Sequence, residues 1–289
     1  VRILLWHVHG SWTHGFVQGG HEYLIPGPPD GIGLAGRPWR ASEVSLSEVD
    51  AAGADIAVVQ RVEELSKVPV GVPVVYLEHN TPAAPAQEHP LAGWDGTIVH
   101  VTHFNDLMWD CGTTRTVVIE HGVVDPGPLY TGELPHAAAV INEPVRRGRI
   151  VGADLLPRFD PIDVFGIGTE EIGGEGDHEL EALHRELARR RVYVHPARWT
   201  SLGLSLLEAM HIGMPVVALA CTEAVRAVPD DVGAISTDVE ELVSAVRELI
   251  ADPALAHEKG ERAREFALAR YGLEAFLRNW DVLMKEVIG

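Results

Sequence analysis

The sequence predicts an α/β protein made of two doubly wound domains with parallel sheets. Three observations predict it. Short runs rich in Val and Ile recur along the chain, each bounded by Gly, Pro, Asn or Asp. Amphipathic helical stretches alternate with them, which is the pattern of layered α/β structure. The 289 residues suit about two domains, and the stretch Asp125-Pro126-Gly127-Pro128-Leu129-Tyr130-Thr131-Gly132 reads as a linker between them. The division expected is 1–130, 131–270 and a terminal helix over 271–289.

In the first half the strands are expected at Arg2–Val8, Asp55–Gln60, Val72–Glu78, Thr97–Thr102 and Arg115–Glu120. Pro26–Arg40, dense in Gly and Pro, reads as a surface loop. In the second half they are expected at Ala137–Ile141, Ile162–Gly166, Val192–His195, Val216–Ala220 and Gly233–Ser236. Continuous apolar runs of this kind suit parallel strands buried on both faces. Gly173–Asp177 is a flexible turn before a helix near His178–Arg190. Asp238 can cap Val239–Ala251, whose Leu242, Val243, Val246, Leu249 and Ile250 form one stripe. Pro253 breaks that pattern. Ala254–Arg270 is the next helix, with Gly272 placed as a C-cap glycine. Leu273–Ile288 is the last, with Phe276, Trp280, Leu283 and Met284 at helical spacing. No repeat of fixed period is visible.

Composition narrows the function. Hydrophobic residues make up 46%, enough for real cores. Twenty-three Lys and Arg stand against 42 Asp and Glu, a net charge of −19. Such a chain is poorly suited to nucleic acid or to an anionic membrane surface. No apolar stretch reaches the ~20 residues of a membrane span. Val1–Trp6 reads as a strand and not as a signal peptide. Two cysteines, Cys111 and Cys221, suggest no disulfide framework, so a reducing cytoplasm is the expected location.

The most informative segment is Arg191–Ala218. It reads as strand, glycine turn (Gly203), helix (Leu204, Ser205, Leu206, Leu207, Glu208, Ala209, Met210), glycine stop (Gly213), Pro215 and strand. A turn opening a helix presents free backbone N–H groups and the positive end of the helix dipole, a site suited to a diphosphate. Glu208, about one turn in, can accept two hydrogen bonds from a vicinal diol such as ribose.

This run resembles the donor-binding signature of family 4 retaining glycosyltransferases, in a shortened, actinobacterial-looking form. Gly203, Leu204, Leu207, Glu208, Ala209, Met210, Gly213, Pro215, Val216 and Val217 match the family's Gly-Phe-Gly-Leu…Leu-Glu-Ala-Met…Gly-Pro-Val-Val consensus. The resemblance runs from Ala137 to Val287 and is looser before that. Two departures stand out. The first Glu of the family's Glu-x7-Glu pattern is Thr200 here, which carries no charge. The family's Arg, five residues before a Lys-Gly pair, is Asn142, while Arg147-Gly148 takes the Lys-Gly place. Arg146 and Arg149 are the reserve cations. Arg for Lys keeps the charge and changes the geometry of a phosphate contact.

In the first half the resemblance places Gly19 and Gly20 near donor phosphate and acceptor, and His79, in Glu78-His79-Asn80, near the donor sugar. It places His121 and Gly122 at a hinge or rim before the linker. His103, ending a predicted strand, is a further rim candidate.

The resemblance implies the GT-B fold: two Rossmann-like domains facing a cleft, with the last helix crossing back to the first domain. It implies a retaining, metal-independent transfer of a hexose from a nucleoside diphosphate sugar to a small-molecule or saccharide acceptor, with no cofactor. Arg147 and His79 are the expected catalytic residues. Gly19, Gly20, Asn142, Arg146, Arg149, Thr200, Gly203, Leu204, Ser205, Leu207 and Glu208 are the expected donor site. One alternative is a nucleotide-binding module without turnover. Another is a metal hydrolase using His7 and His9, a His-x-His pair at a strand end, which requires a closed barrel of about eight strand–helix units.

Overall fold

The computed structural model describes residues 1–289, except for the side chains of Ala51 and Ala52. Along the chain run β1 (Arg2–Leu5), α1 (Gly10–Phe16), β2 (Glu22–Pro26), β3 (Ser42–Val44), α2 (Leu46–Ala52), β4 (Ile56–Val59), β5 (Val74–Glu78), β6 (Gln87–Glu88), β7 (Thr97–His100), α3 (His103–Met108), β8 (Trp109–Asp110) and β9 (Arg115–Val118). There follow β10 (Leu134–Val140), α4 (Pro144–Arg147), β11 (Ile162–Phe165), α5 (Leu180–Arg189), β12 (Arg190–His195), α6 (Leu204–Ile212), β13 (Val216–Leu219), α7 (Ala224–Ala227), β14 (Gly233–Ser236), α8 (Val239–Ala251), α9 (Pro253–Tyr271) and α10 (Leu273–Ile288). The chain forms two compact units, one of Val1–Val124 with Leu273–Gly289, the other of Asp125–Gly272.

The first unit holds a seven-stranded sheet in the order β3-β2-β1-β4-β5-β7-β9. Each of its pairings is parallel. Leu4, Trp6, Ala57 and Val59 pack into one core, while the alternate residues Ile3, Leu5, Ile56 and Val58 are also fully buried. Burial on both faces explains why these strands read as unbroken apolar runs. The second unit has a five-stranded parallel sheet, β11-β10-β12-β13-β14. Both orders are doubly wound. Each reverses direction at one place, between β1 and β4 and between β10 and β12. Open α/β sheets bind ligands at the carboxyl ends of the strands beside such reversals.

β2 and β3 were not foreseen. β2 offers three apolar residues between Glu22 and Pro26, and β3 is a three-residue edge strand without buried side chains. The segment read as a surface loop, Pro26–Arg40, connects them. Gly272 is not a left-handed cap. Its φ is −64°, and a Cβ there would meet the Leu268 carbonyl oxygen at 2.5 Å, so the glycine serves the close α9–α10 junction. Pro253 opens α9 at its first turn, where a missing N–H costs nothing.

α10 belongs to the first unit. Trp280 packs on Phe16 at 5.0 Å and on Trp12 at 5.7 Å between ring centroids, and Phe276 joins them. His21 bonds Asp281 at 2.8 Å and Arg115 bonds Glu286 at 2.6 Å along the rim. Burying large apolar side chains contributes about 1.5–3 kcal/mol each, more than exposed ion pairs of ~0–1 kcal/mol. Phe276, Trp280, Leu283 and Met284, all buried, therefore hold the helix in place.

Candidate functional site

In the second unit the loops leaving β10 and β12 meet. Arg198 N and Trp199 N both donate to the Ile150 carbonyl, at 2.9 and 3.2 Å. Gly152 lies so near that a Cβ would stand 2.0 Å from the Pro196 carbonyl oxygen, and its φ is +76°. Only glycine permits that approach. Arg198 reaches across to donate two hydrogen bonds to Asp154, at 2.6 and 3.0 Å, and one to the Arg149 carbonyl at 2.8 Å. The loop over 196–203 is thereby fastened to the segment that carries Arg146, Arg147 and Arg149.

The three arginines differ. Arg146 is paired with Glu143, and Arg149 donates to Asp154 at 2.8 Å. Arg147 is half-buried, and among the described residues its guanidinium has no ion pair or hydrogen bond. Burial and the neighbouring Arg146 charge lower its pKa, without approaching a pH at which it would lose its proton. An unsatisfied cation at the end of α4, on the segment that follows β10, is suited to an anionic ligand. Asn142 does not stand in for a cation: its Oδ1 accepts from Ile167 N at 3.0 Å and ties the β10 end to the loop after β11.

Across the reversal, Gly203 precedes α6 with extended backbone, and the helix ends at Gly213 in the left-handed region. α6 is short, hydrophobic all round and buried along most of its length, so it is held by tertiary packing and not by an amphipathic stripe. Leu204 and Ser205 are half-buried at its start, where backbone N–H groups lack intrahelical partners. Ser205 Oγ accepts from the Tyr193 hydroxyl at 2.9 Å. Leu207, expected in the donor site, is fully buried core; its match to the signature reflects packing. Glu208 is 5% exposed, and its Oε2 stands 3.6 Å from Nε2 of buried His184. Thr200 is half-buried in the 196–203 loop. Beneath Gly203, His195 ends β12; burial lowers its pKa to about 4. Its Cε1 would be 3.0 Å from a Cβ at 203.

In the first unit the carboxyl ends of β1, β5 and β9 gather histidines, with Gln60 at the end of β4 between them. His79 lies 4.1 Å from His9 and 6.4 Å from His121 between ring centroids, with Trp12 edge-on at 5.4 Å. Burial and the neighbouring imidazoles hold His79 well below its ordinary pKa, and burial takes His121 down to about 3. His79 Nε2 bonds Gln60 Oε1 at 2.8 Å. His103 opens α3 and is exposed. Gly122 packs against α10, where a Cβ would meet Phe276 Cβ at 2.3 Å.

Gly19 and Gly20 are elsewhere. They precede β2, whose first residue pairs with Arg2 of β1, so they lie at the edge where the strands begin, opposite the histidines. Tyr23 and Leu277 border Gly19, and Gly20 is exposed. The loop that does reach the carboxyl edge is His7–His9. His7 Nδ1 bonds the Gly33 carbonyl at 3.0 Å and its ring meets Trp39 at 4.5 Å, while His9 lies on His79. Two open sheets replace the closed barrel that the hydrolase reading requires. Among the described residues no group of three or more His, Cys, Asp or Glu is placed to hold a metal ion. No helix of the described residues is long and apolar enough to cross a membrane.

Gln60, His184, Arg198 and Asp154 were missed. Gln60 carried a signal: a polar amide closing an apolar strand at its carboxyl end. The other three act through partners 24 to 44 positions away in sequence, which no local pattern reveals.

Comparison with known proteins agrees with this geometry. A family model described as glycosyl transferases group 1 matches residues 171–266, which include β12, α6 and β13. An exopolysaccharide phosphotransferase of Streptomyces coelicolor is 28% identical over 185 residues, covering 61% of this chain and 19% of that protein. The chain thus spans about a fifth of that relative's length. Among solved structures, a glycosyltransferase from Rickettsia africae aligns over 99% of this chain and 98% of its own, with TM-score 0.73 and 15% identity. Anabaena HepE in complex with UDP aligns over 99% of both chains, with TM-score 0.72 and 13% identity. Sucrose-phosphate synthase from Thermosynechococcus elongatus covers 99% and 98%, with TM-score 0.70 and 15% identity. The fold is therefore that of two Rossmann-like domains, the GT-B type.

Proposed function

We propose that the chain is a glycosyltransferase that binds a nucleoside diphosphate sugar at the carboxyl edge of its five-stranded sheet and passes the hexose, with retention, to a saccharide or small-molecule acceptor. The observation that carries this reading is that the unpartnered guanidinium of Arg147 follows β10 while the N-terminus of α6, with Glu208, follows β12, the two neighbouring strands at the reversal; α6 lies inside the segment that matches the glycosyl transferase model. A diphosphate needs positive charge, supplied here by Arg147 and the Gly203–Leu204 backbone. A ribose needs an acceptor for its two hydroxyls, supplied by Glu208. The protein named for complexes with UDP, Anabaena HepE, shares the fold.

In the proposed reaction the bond from the anomeric carbon to the diphosphate oxygen breaks. The acceptor oxygen bonds to that carbon on the same face, and its proton passes to the departing phosphate. No enzymic base is required, and no metal. The protein contributes positioning and stabilisation of the leaving charge. Arg147 faces the phosphate, and His79 is the first unit's group for a substrate hydroxyl. With Thr200 and Asn142 uncharged, Arg147 carries more of this work than one cation of a pair.

The test is a thermal-shift panel with UDP, GDP, ADP, dTDP and CDP, with and without magnesium, followed by transfer assays with the matching sugars. Saturation at 100 times Kd adds about 2.7 kcal/mol of stability. A metal-independent shift with one diphosphate, with sugar transfer that survives a chelator, is the expected result. Binding without transfer or donor hydrolysis overturns the enzymatic reading in favour of a binding module. A product that carries phosphate would instead align the chain with the phosphotransferase relative.

A further inference from the structure

Gln60 follows β4 at the reversal of the seven-stranded sheet and is 6% exposed. Its side-chain Nε2 donates to the Trp6 carbonyl at 2.6 Å. A carbonyl only accepts, so the amide nitrogen must lie on that side. The amide oxygen then faces His79 Nε2 at 2.8 Å. That oxygen only accepts as well, so Nε2 of His79 must carry the hydrogen. Gln60 has little freedom to turn. Its backbone N–H donates to buried Glu64 at 2.7 Å, Arg61 N donates to the same oxygen at 3.1 Å, and the Trp6 indole donates to the Asp30 carbonyl at 3.2 Å. His9 and Trp12 pack against the His79 ring. A neutral imidazole with hydrogen on Nε2 has its lone pair on Nδ1. Among the described residues Nδ1 of His79 makes no hydrogen bond.

We propose that Gln60 is a positioning residue that locks His79 as the Nε2–H tautomer, so that the atom His79 offers a substrate is an acceptor for a hydroxyl and not a donor to phosphate. The tautomer follows from the chain's own bonds; the identity of the hydroxyl as a substrate's rests on the function proposed above. On this arrangement Nε2–H is taken up by Gln60, and His79 discriminates among substrates by whether a hydroxyl is present opposite Nδ1.

The experiment is long-range proton–nitrogen correlation on the full chain with 15N-labelled histidine at pH 7, with His79 assigned by its loss in His79→Phe. The wild-type spectrum should show Nε2 protonated and Nδ1 bare. Gln60→Leu should bring in the Nδ1–H form, and Gln60→Glu, which keeps an acceptor, should retain Nε2–H. A wild-type His79 protonated on Nδ1 or on both nitrogens overturns the proposal, as does an unchanged tautomer in Gln60→Leu. These readouts need no substrate, so they separate from any failure of the glycosyltransferase reading. In transfer assays Gln60→Leu should lower kcat about tenfold, the effect of losing one positioned hydrogen bond, while affinity for the diphosphate selected by the thermal panel stays within about twofold. A parallel fall in diphosphate affinity would assign His79 to the phosphate and defeat the proposal.

Discussion

Nε2 of His184 stands 3.6 Å from Oε2 of Glu208, and both side chains are buried. That distance exceeds a hydrogen bond. Among the described residues Glu208 therefore has a nearby imidazole but accepts no hydrogen bond. A buried carboxylate that accepts no hydrogen bond is unfavourable, and ligand hydroxyls would relieve it. Replacing Glu208 with Ala should weaken nucleoside diphosphate binding by roughly 10–100-fold, as expected for lost hydrogen bonds to a charged group. The wild-type protein should prefer a ribonucleoside diphosphate to its 2′-deoxy form, and Glu208→Ala should bind the two alike. Calorimetry with UDP and 2′-deoxy-UDP, or the pair for the base that binds, decides it. Equal wild-type affinities would remove Glu208 from the ribose.

The cations can be ranked. Arg146 and Arg149 are engaged by Glu143 and Asp154 on the surface, whereas Arg147 is not. Arg147→Ala should lower diphosphate affinity at least about tenfold, while Arg146→Ala should change it less than about threefold. Arg147→Lys should recover part of the loss, because a point charge remains but the fork does not. A larger effect at Arg146 than at Arg147 in the same titration would reverse the assignment.

Much of the second unit was legible because its chemistry is local. β12, Gly203, α6, Gly213 and β13 follow one another within thirty residues, and each is fixed by its own pattern of apolar run or glycine. Asp238 caps α8 by accepting from Glu240 N at 2.8 Å, and α8 spans Val239–Ala251 as its stripe required. What local pattern cannot give is pairing over distance. Arg198 seats on Asp154 across 44 positions, and no local pattern shows which of the arginines on the facing segment stays open. Gly19 and Gly20 misled because a glycine pair after a first strand signals a turn without saying at which end of the sheet it falls. The missing fact was β2, whose start fixes the pair at the amino edge.

Gly122 and Gly20 should behave in opposite ways. A Cβ at 122 would stand 2.3 Å from Phe276 Cβ and 2.5 Å from its ring, whereas nothing lies within 4 Å of one at 20. Gly122→Ala should therefore destabilise the protein by about 1–3 kcal/mol, the usual effect of forcing an extra methyl into a packed core. Gly20→Ala should be within ~0.5 kcal/mol of wild type, with diphosphate affinity unchanged. Urea unfolding of both variants checks the first pair of values, and an affinity loss in Gly20→Ala would return the glycine pair to the donor site.

Acid should weaken the protein before its carboxylates protonate. His195 and His100 are lowered by burial to about 4, and His121 to about 3, from an ordinary value of 6.5. Between those limits the unfolded chain binds protons at these positions and the folded chain does not, so stability rises with pH across the window. The contribution of neutral His195 is complete above pH 6.5 and is lost as pH falls toward 4, by about 1.4 kcal/mol per pH unit, or about 3 kcal/mol in all. Asp125 and Asp154, held low by Arg264 and Arg198, act in the other window, below their unfolded pKa near 4. His195→Gln should accordingly reduce the slope of the stability profile between pH 6.5 and 4 by about 1.4 kcal/mol per pH unit, leaving the share of His100 and His121 and the fall below pH 4 in place. Urea unfolding at intervals of half a pH unit measures both limbs. A wild-type profile that is flat down to pH 4.5 would show that His195 takes up its proton in the folded state, and that its place beneath Gly203 is wetter than its burial implies.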